Sequence, residues 1–245
     1  MIYFSCLLLG IGLADLVRAR FTHVAATIVG AALGSAATST LLFSIGAHVA
    51  VALAGALVIA GWVTTTSLGS FAVRKVAVAA LGLLGVIAVG IVHIDRIDGA
   101  AVTWWSQLGY PALEAIDFAQ ALATVAVLLF MVESANIVVR TVLELDDQPA
   151  PRPKTRGRLG ARRPQPETLR GGRIIGPLER LFLFALAMAG QFTAIGAIVA
   201  AKGIVRFPEL SKDTRRGSNA ELFLVGSFSS WALVLLAVLY VKLSA

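Results

Sequence analysis

The sequence predicts an all-α, polytopic membrane protein: a helical bundle of about seven transmembrane helices. Composition is the first reason. Hydrophobic residues make up 58% of the chain and charged residues only 14%, against about 45–50% and about 25% in a soluble domain. Mean hydropathy is +0.84. The second reason is run length, because several apolar runs approach the roughly 20 residues that cross a hydrocarbon core about 30 Å thick. The third is continuity. Backbone groups in lipid must be satisfied within the chain, and runs that do not alternate favour helices over a barrel.

The first run, Ile2 to Val17, has no basic residue before it, and Arg18 and Arg20 follow. It reads as a retained helix with its N-terminus outside, since basic loops prefer the cytoplasm. Thr22 to Ser44 and Ala47 to Thr66 read as the second and third helices, joined near Gly46 by a turn without Lys or Arg. Arg74 and Lys75 open a fourth helix that runs to about Ile94. Trp104 and Trp105 then fit an external interfacial anchor. A fifth helix spans about Ala112 to Leu145, longer than one bilayer crossing.

Residues 146–173 carry Arg152, Lys154, Arg156, Arg158, Arg162, Arg163, Arg170 and Arg173 against Asp146, Asp147 and Glu167. This segment therefore holds most of the chain's net +7. With five prolines and no aromatic residue, it cannot bury enough surface to offset ordering entropy. The expected organisation is a five-helix part (1–145), a disordered basic cytoplasmic linker (146–173) and a two-helix part (174–245). Arg152, Lys154, Arg156, Arg158, Arg162 and Arg163 are expected to contact anionic headgroups.

The sixth helix poses a conflict. Leu181 to Ala201 is about 21 residues, or about 31 Å of helix, which suits one crossing. Yet Lys202 and Arg206 lie beyond it, as Arg173 and Arg180 lie before it, against the positive-inside bias. The expectation is a crossing, with an external N-terminus and an internal C-terminus after seven spans. The alternative is six spans plus a hairpin re-entering at Gly190. The last helix follows Ser218 and Glu221, a capping-box spacing, and ends near Tyr240.

Candidate chemistry centres on the fifth helix. Glu133, Asn136 and Arg140 are spaced three and four residues apart, so they share one face within about 60°. A charge at mid-membrane costs on the order of 3 kcal/mol and usually pairs or faces a cavity. Glu179 and Arg180 sit at the matching depth of the sixth helix. These five residues are expected to form a charged cluster, either a packing lock or a functional site, namely a proton or ion pathway or a headgroup site. Gln191 is expected to make an interhelical hydrogen bond, and Asp15 to pair with Arg18. Gly30 and Gly34 form a small-xxx-small pattern. Cys6 reads as a buried apolar residue. His93, Asp95, Asp98, Glu114 and Asp117 read as solvated loop charges. No catalytic motif stands out, and no metal or cofactor is expected.

The C-terminal stretch carries "GRIIGPLER", "AGQF", "AAKGIVRFPEL" and "AELFLVGSFSS". It resembles bacterial multi-pass membrane proteins of the domain-of-unknown-function family numbered 3307. The resemblance covers roughly the last 75 residues. It places Gly172, Arg173, Gly176, Glu179, Arg180, Gln191, Gly196, Lys202, Arg206, Phe207, Glu221 and Gly226 at motif positions. At the N-terminus, "GLADLVRAR" stands where the family shows a His-then-Asp-Phe-then-Gln signature. The resemblance implies a bacterial multi-pass membrane protein and no particular activity.

Three functions fit. The first is a non-enzymatic scaffold or accessory subunit of a membrane complex, in the cell inner (plasma) membrane. Its partners would be membrane lipids and a membrane protein or a second copy; nucleic acid is not indicated. The second is a small-solute or ion transporter using the stripe on the fifth helix. The third is a membrane enzyme acting on a lipid-linked substrate at the inner face, which requires Glu179, Arg180, Lys202 and Arg206 to converge.

Overall fold

The computed structural model describes residues 1–20, 24–90, 99–111, 115–146, 172–211 and 218–245. Among them are ten helices and no strand. They are α1 (Ile2–Arg20), α2 (Val24–Ser44), α3 (Val49–Leu68), α4 (Phe71–Gly90), α5 (Ala100–Ser106), α6 (Phe118–Val132), α7 (Ser134–Asp146), α8 (Gly172–Met188), α9 (Phe192–Ser211) and α10 (Ser218–Leu243). Five of them, α1 to α4 and α10, are long and apolar enough to cross a membrane, and the bent pair α6–α7 makes a sixth candidate. This is a multi-pass membrane protein.

The bundle is built around α1, which packs against α2, α3 and α6. It is the most buried of the candidate spans, with 61% of its apolar window covered by the rest of the chain. Leu7, Leu8, Ile11 and Ala14 form one core with Ile59, Val63, Ala126 and Met131. The Gly30–Gly34 pattern lies at the α1–α2 contact. A Cβ on Gly34 would stand 2.5 Å from the Gly10 carbonyl oxygen, and one on Gly30 would stand 2.7 Å from that of Ala14. Helices whose mutual contact gains nothing from excluding water associate through such close backbone approach. Cys6 is fully buried here, and its carbonyl accepts from the Thr38 hydroxyl at 3.0 Å.

Contacts fix which ends lie together. The Tyr240 hydroxyl donates to the Met1 carbonyl at 2.9 Å and lies 2.6 Å from the Ser5 hydroxyl. The start of α1 and the finish of α10 therefore share one end of the bundle, the terminal end. Trp105 packs edge-on against Phe118 at this end and donates to the Ile116 carbonyl at 3.0 Å. At the opposite, basic end Arg18 donates to the Val63 carbonyl at 3.1 Å. There Arg74 also pairs with Glu144 at 2.6 Å, tying α4 to α7.

The fifth predicted helix is broken. The chain leaves α6 at Glu133 (φ −120°, ψ −41°), and α7 continues at 53° to it. The sixth predicted helix is corrected more deeply: the run from Leu181 to Ala201 is not one span. It reverses at Gly190, whose φ is +71°, a left-handed conformation that glycine adopts without steric cost. Gln191 N–H donates to the Leu186 carbonyl at 2.8 Å and Gly190 N–H to that of Ala187 at 3.2 Å. This pair of bonds is a Schellman closure of α8. Gly46, at φ +81°, closes α2 in the same way. The chain thus folds back at Gly190, as in the hairpin alternative, and among the described residues the candidate spans number five, or six with α6–α7 taken as one. The C-terminal part has three helices rather than two, and both chain ends lie on one side rather than on opposite sides.

Other boundaries move less. The fourth helix is described as far as Gly90, its expected end near Ile94 lying outside the described residues, and α5 is a short helix that the tryptophans alone did not specify. The basic linker residues Arg152, Lys154, Arg156, Arg158, Arg162 and Arg163 lie outside the described residues, as do His93, Asp95, Asp98 and Glu114.

Two measurements check this arrangement. In a background where Cys6 is replaced by Ala, a membrane-impermeant thiol reagent should label Glu144→Cys and Glu221→Cys from one side. It should label Tyr110→Cys and Ala245→Cys from the other. Labelling of Ala245→Cys together with Glu144→Cys would mean an odd number of crossings and no hairpin. Separately, Gly34→Val should destabilise the detergent-solubilised protein by about 1–3 kcal/mol through overpacking. Gly82→Val, with nothing within 4 Å of its Cβ position, should leave the melting temperature unchanged.

Candidate functional site

The break at Glu133 sets up the site. A continuous helix would satisfy the Met131 and Val132 carbonyls with the N–H groups four residues on. Here the Glu133 carbonyl accepts from Asn136 N–H at 3.0 Å, and the two carbonyls before it turn to side chains. Met131 O accepts from Arg180 Nε at 3.1 Å and from its terminal nitrogen at 3.0 Å. Val132 O accepts from Asn136 Nδ2 at 3.2 Å. The same Arg180 nitrogen also donates to Asn136 Oδ1, and the other reaches Ser230 Oγ at 3.4 Å. Arg180 is only 2% exposed. It seals a helix break and joins α6, α7, α8 and α10 through one guanidinium.

Glu179, the neighbouring residue, faces the other way. Its carboxylate takes both oxygens to Lys202 Nζ at 2.7 Å and accepts from Trp231 Nε1 at 3.1 Å. The Lys202 ammonium also lies 5.7 Å from the ring centres of Phe223 and Trp231. This ion pair closes the α8–α9 hairpin and fastens it to α10. Its partners stand almost symmetrically about Gly190, which is what folding the chain there requires.

Between α7, α8, α9 and α10 lies a cleft of about 1150 Å³. Asn136, Arg140, Glu179, Arg180 and Lys202 line it, with apolar walls that include Leu143, Phe182 and Ile198. Arg140 is exposed. It lies nine residues beyond Met131, toward the basic end.

The predicted five-residue cluster is therefore divided. Asn136 and Arg180 meet directly. Glu179 and Arg140 share the cleft with them. Glu133 occupies the break itself and is not part of the cleft lining. Because the helix bends there, Glu133 no longer shares a straight face with Asn136 and Arg140. Gln191 is exposed at the hairpin tip, so its expected interhelical bond within a continuous span is not what the chain makes. Glu221 is exposed in the first turn of α10. Arg206 lies one turn beyond Lys202 in α9, with its side chain outside the described set.

A second polar group sits deeper in the bundle. Asp15 is 1% exposed, pairs with Arg18 at 2.7 Å and accepts from Trp62 Nε1 at 3.0 Å. The pairing with Arg18 was legible in sequence; Trp62 was not. Asp117 caps α6, accepting from Ala119 N–H at 3.2 Å. Among the described residues no group of His, Cys, Asp and Glu could hold a metal.

No protein-family model, curated protein or solved structure matches this chain.

The arrangement makes the Arg180 and Glu179 contacts separable. Arg180→Met leaves the Met131 carbonyl and Asn136 without their donor. It should cost about 3–5 kcal/mol, the scale for breaking a buried charged network, read as a large drop in melting temperature in detergent. Glu179→Gln and Lys202→Met should each cost less. Their double-mutant cycle should show a coupling of about 1–3 kcal/mol; a coupling near zero would mean the pair does not hold the hairpin.

Proposed function

We propose that this protein is a non-enzymatic component of the bacterial inner (plasma) membrane, a scaffold or accessory subunit. Its basic end and linker face the cytoplasm, and both chain ends face outward. One observation supports this reading above the others: the buried ionisable groups are committed to holding backbone and helices in place. Arg180 donates to a carbonyl and two side chains, and Glu179 is held by Lys202 and Trp231. A membrane enzyme needs a nucleophile or a proton-transferring group free to act in the cleft. Glu179, Arg180 and Lys202 do converge there, but their polar atoms are taken up by one another and by Trp231, Met131, Asn136 and Ser230. A transporter using the fifth helix needs a path to Glu133, which the cleft does not reach.

The charge distribution supports the orientation. Arg18, Arg74 and Arg140 all belong to the basic end, as the positive-inside bias expects of a cytoplasmic face. The hairpin returns Lys202 and Arg206 toward that same face, which removes the conflict that a single crossing creates.

Purification in mild detergent tests the proposal. The chain should leave the membrane in a stoichiometric complex with another integral membrane protein or with further copies of itself. A monomer that moves a solute across proteoliposomes, or consumes a lipid-linked substrate, would overturn the scaffold assignment.

A further inference from the structure

We infer that the cleft between α7, α8, α9 and α10 is a binding site for an anionic glycerophospholipid, with the phosphate held at Arg140 and the acyl chains along the apolar walls. This goes beyond a scaffold role, because it assigns a ligand class to a particular place.

Four features of the cleft carry the inference. Its charged lining residues are Arg140, Glu179, Arg180 and Lys202, three cations against one carboxylate. The excess is complementary to an anion. Those charges are also arranged by depth. Glu179 neutralises Lys202 in a two-oxygen pair, and Arg180 is turned into the bundle toward the Met131 carbonyl. The deeper cleft is therefore fit for hydrocarbon, while Arg140 is exposed toward the basic end. A guanidinium binds phosphate through paired N–H donors.

The walls complete the match. Ile175, Leu178, Phe182, Val205 and Leu222 line the cleft, and each leaves more than a third of its surface uncovered by protein. The cleft thus opens sideways from the bundle, where a lipid already in the bilayer can enter without leaving hydrocarbon. At about 1150 Å³ it exceeds the roughly 300–1,000 Å³ usual for small-molecule pockets. A soluble phosphate would fill only the mouth and leave the apolar walls uncovered. A second copy of this chain would have to bring a carboxylate to Arg140, which the lipid phosphate supplies on its own.

The full chain, purified in a neutral detergent and depleted of lipid, provides the test. Phosphatidylglycerol and phosphatidylethanolamine with identical acyl chains are added separately, and bound lipid is counted by native mass spectrometry. Phosphatidylglycerol should be retained preferentially. Arg140→Gln should lower its retention about tenfold, the scale of one charge-assisted contact, without altering the lipid-free melting temperature. Ala201→Trp, which fills the cleft from α9, should reduce retention of both lipids. Equal retention of the two lipids by the wild-type chain would overturn the inference, as would undiminished phosphatidylglycerol binding by both variants. If water-soluble glycerol phosphate binds as tightly as the lipid, the site takes a free phosphate instead. If lipid never binds and Ala201→Trp instead dissociates a dimer, the occupant is a second copy.

Discussion

A backbone carbonyl in hydrocarbon has no water to turn to, and the helix break at Glu133 creates two such groups. Each left alone would cost several kcal/mol in an apolar medium. The protein meets one with the guanidinium of Arg180 and the other with the amide of Asn136. Much of the C-terminal half follows from this. Arg180 can reach Met131 only if α8 lies against the α6–α7 elbow. Its second nitrogen reaches Ser230 only if α10 lies there too. The break is therefore both a liability and the point at which three separate stretches of chain are joined.

Once α8 is held there, the hairpin is constrained by charge. Lys202 follows Gly190 at nearly the distance by which Glu179 precedes it, so reversal at the glycine brings opposite charges to the same depth. An exposed pair would contribute little. This one is partly covered, with side-chain exposures of 26% and 12%, and its carboxylate has a third partner in Trp231. A straight helix would instead have separated the charges by about 23 residues, or about 35 Å, with Glu179 alone in the bundle. Length favoured one crossing, and charge favoured reversal. The structure follows the charge pattern, since the reversal brings Glu179 to Lys202.

The long runs, their helical state and the approximate limits of the first three helices and the last were legible in the sequence, because burial in lipid demands a contiguous apolar stretch whatever its neighbours are. The glycine approach of α1 to α2 was legible as a pattern, although such patterns also arise by chance in a chain this rich in alanine and glycine. Asp15 with Arg18 was legible because the partners are three residues apart on one helix. The elbow at Glu133 was not. "VESAN" contains no proline or glycine, and its break depends on donors that arrive from residues 180 and 136. A carbonyl has no letter in the sequence, so Arg180 could be matched only with carboxylates, Glu133 foremost. The residue does what a buried arginine can do equally well, which is to satisfy backbone.

The choice of side chain at position 180 also shapes what remains of the site. A lysine is a compact, strongly hydrated point charge with three donors on one atom. Arginine spreads its charge over five N–H donors and can satisfy a carbonyl, an amide and a hydroxyl together. Because Arg180 is occupied in this way, Glu179 is left to Lys202, and the pair needs no further counter-ion from the bundle. Within the cleft Glu179 and Lys202 pair with each other. Arg180 keeps its charge but has its donors taken by Met131, Asn136 and Ser230, and Arg140 is the exposed guanidinium. The architecture that stabilises the break thus concentrates the site's affinity for anions at a single exposed guanidinium near the basic end. Binding there would not compete with folding for the same hydrogen bonds.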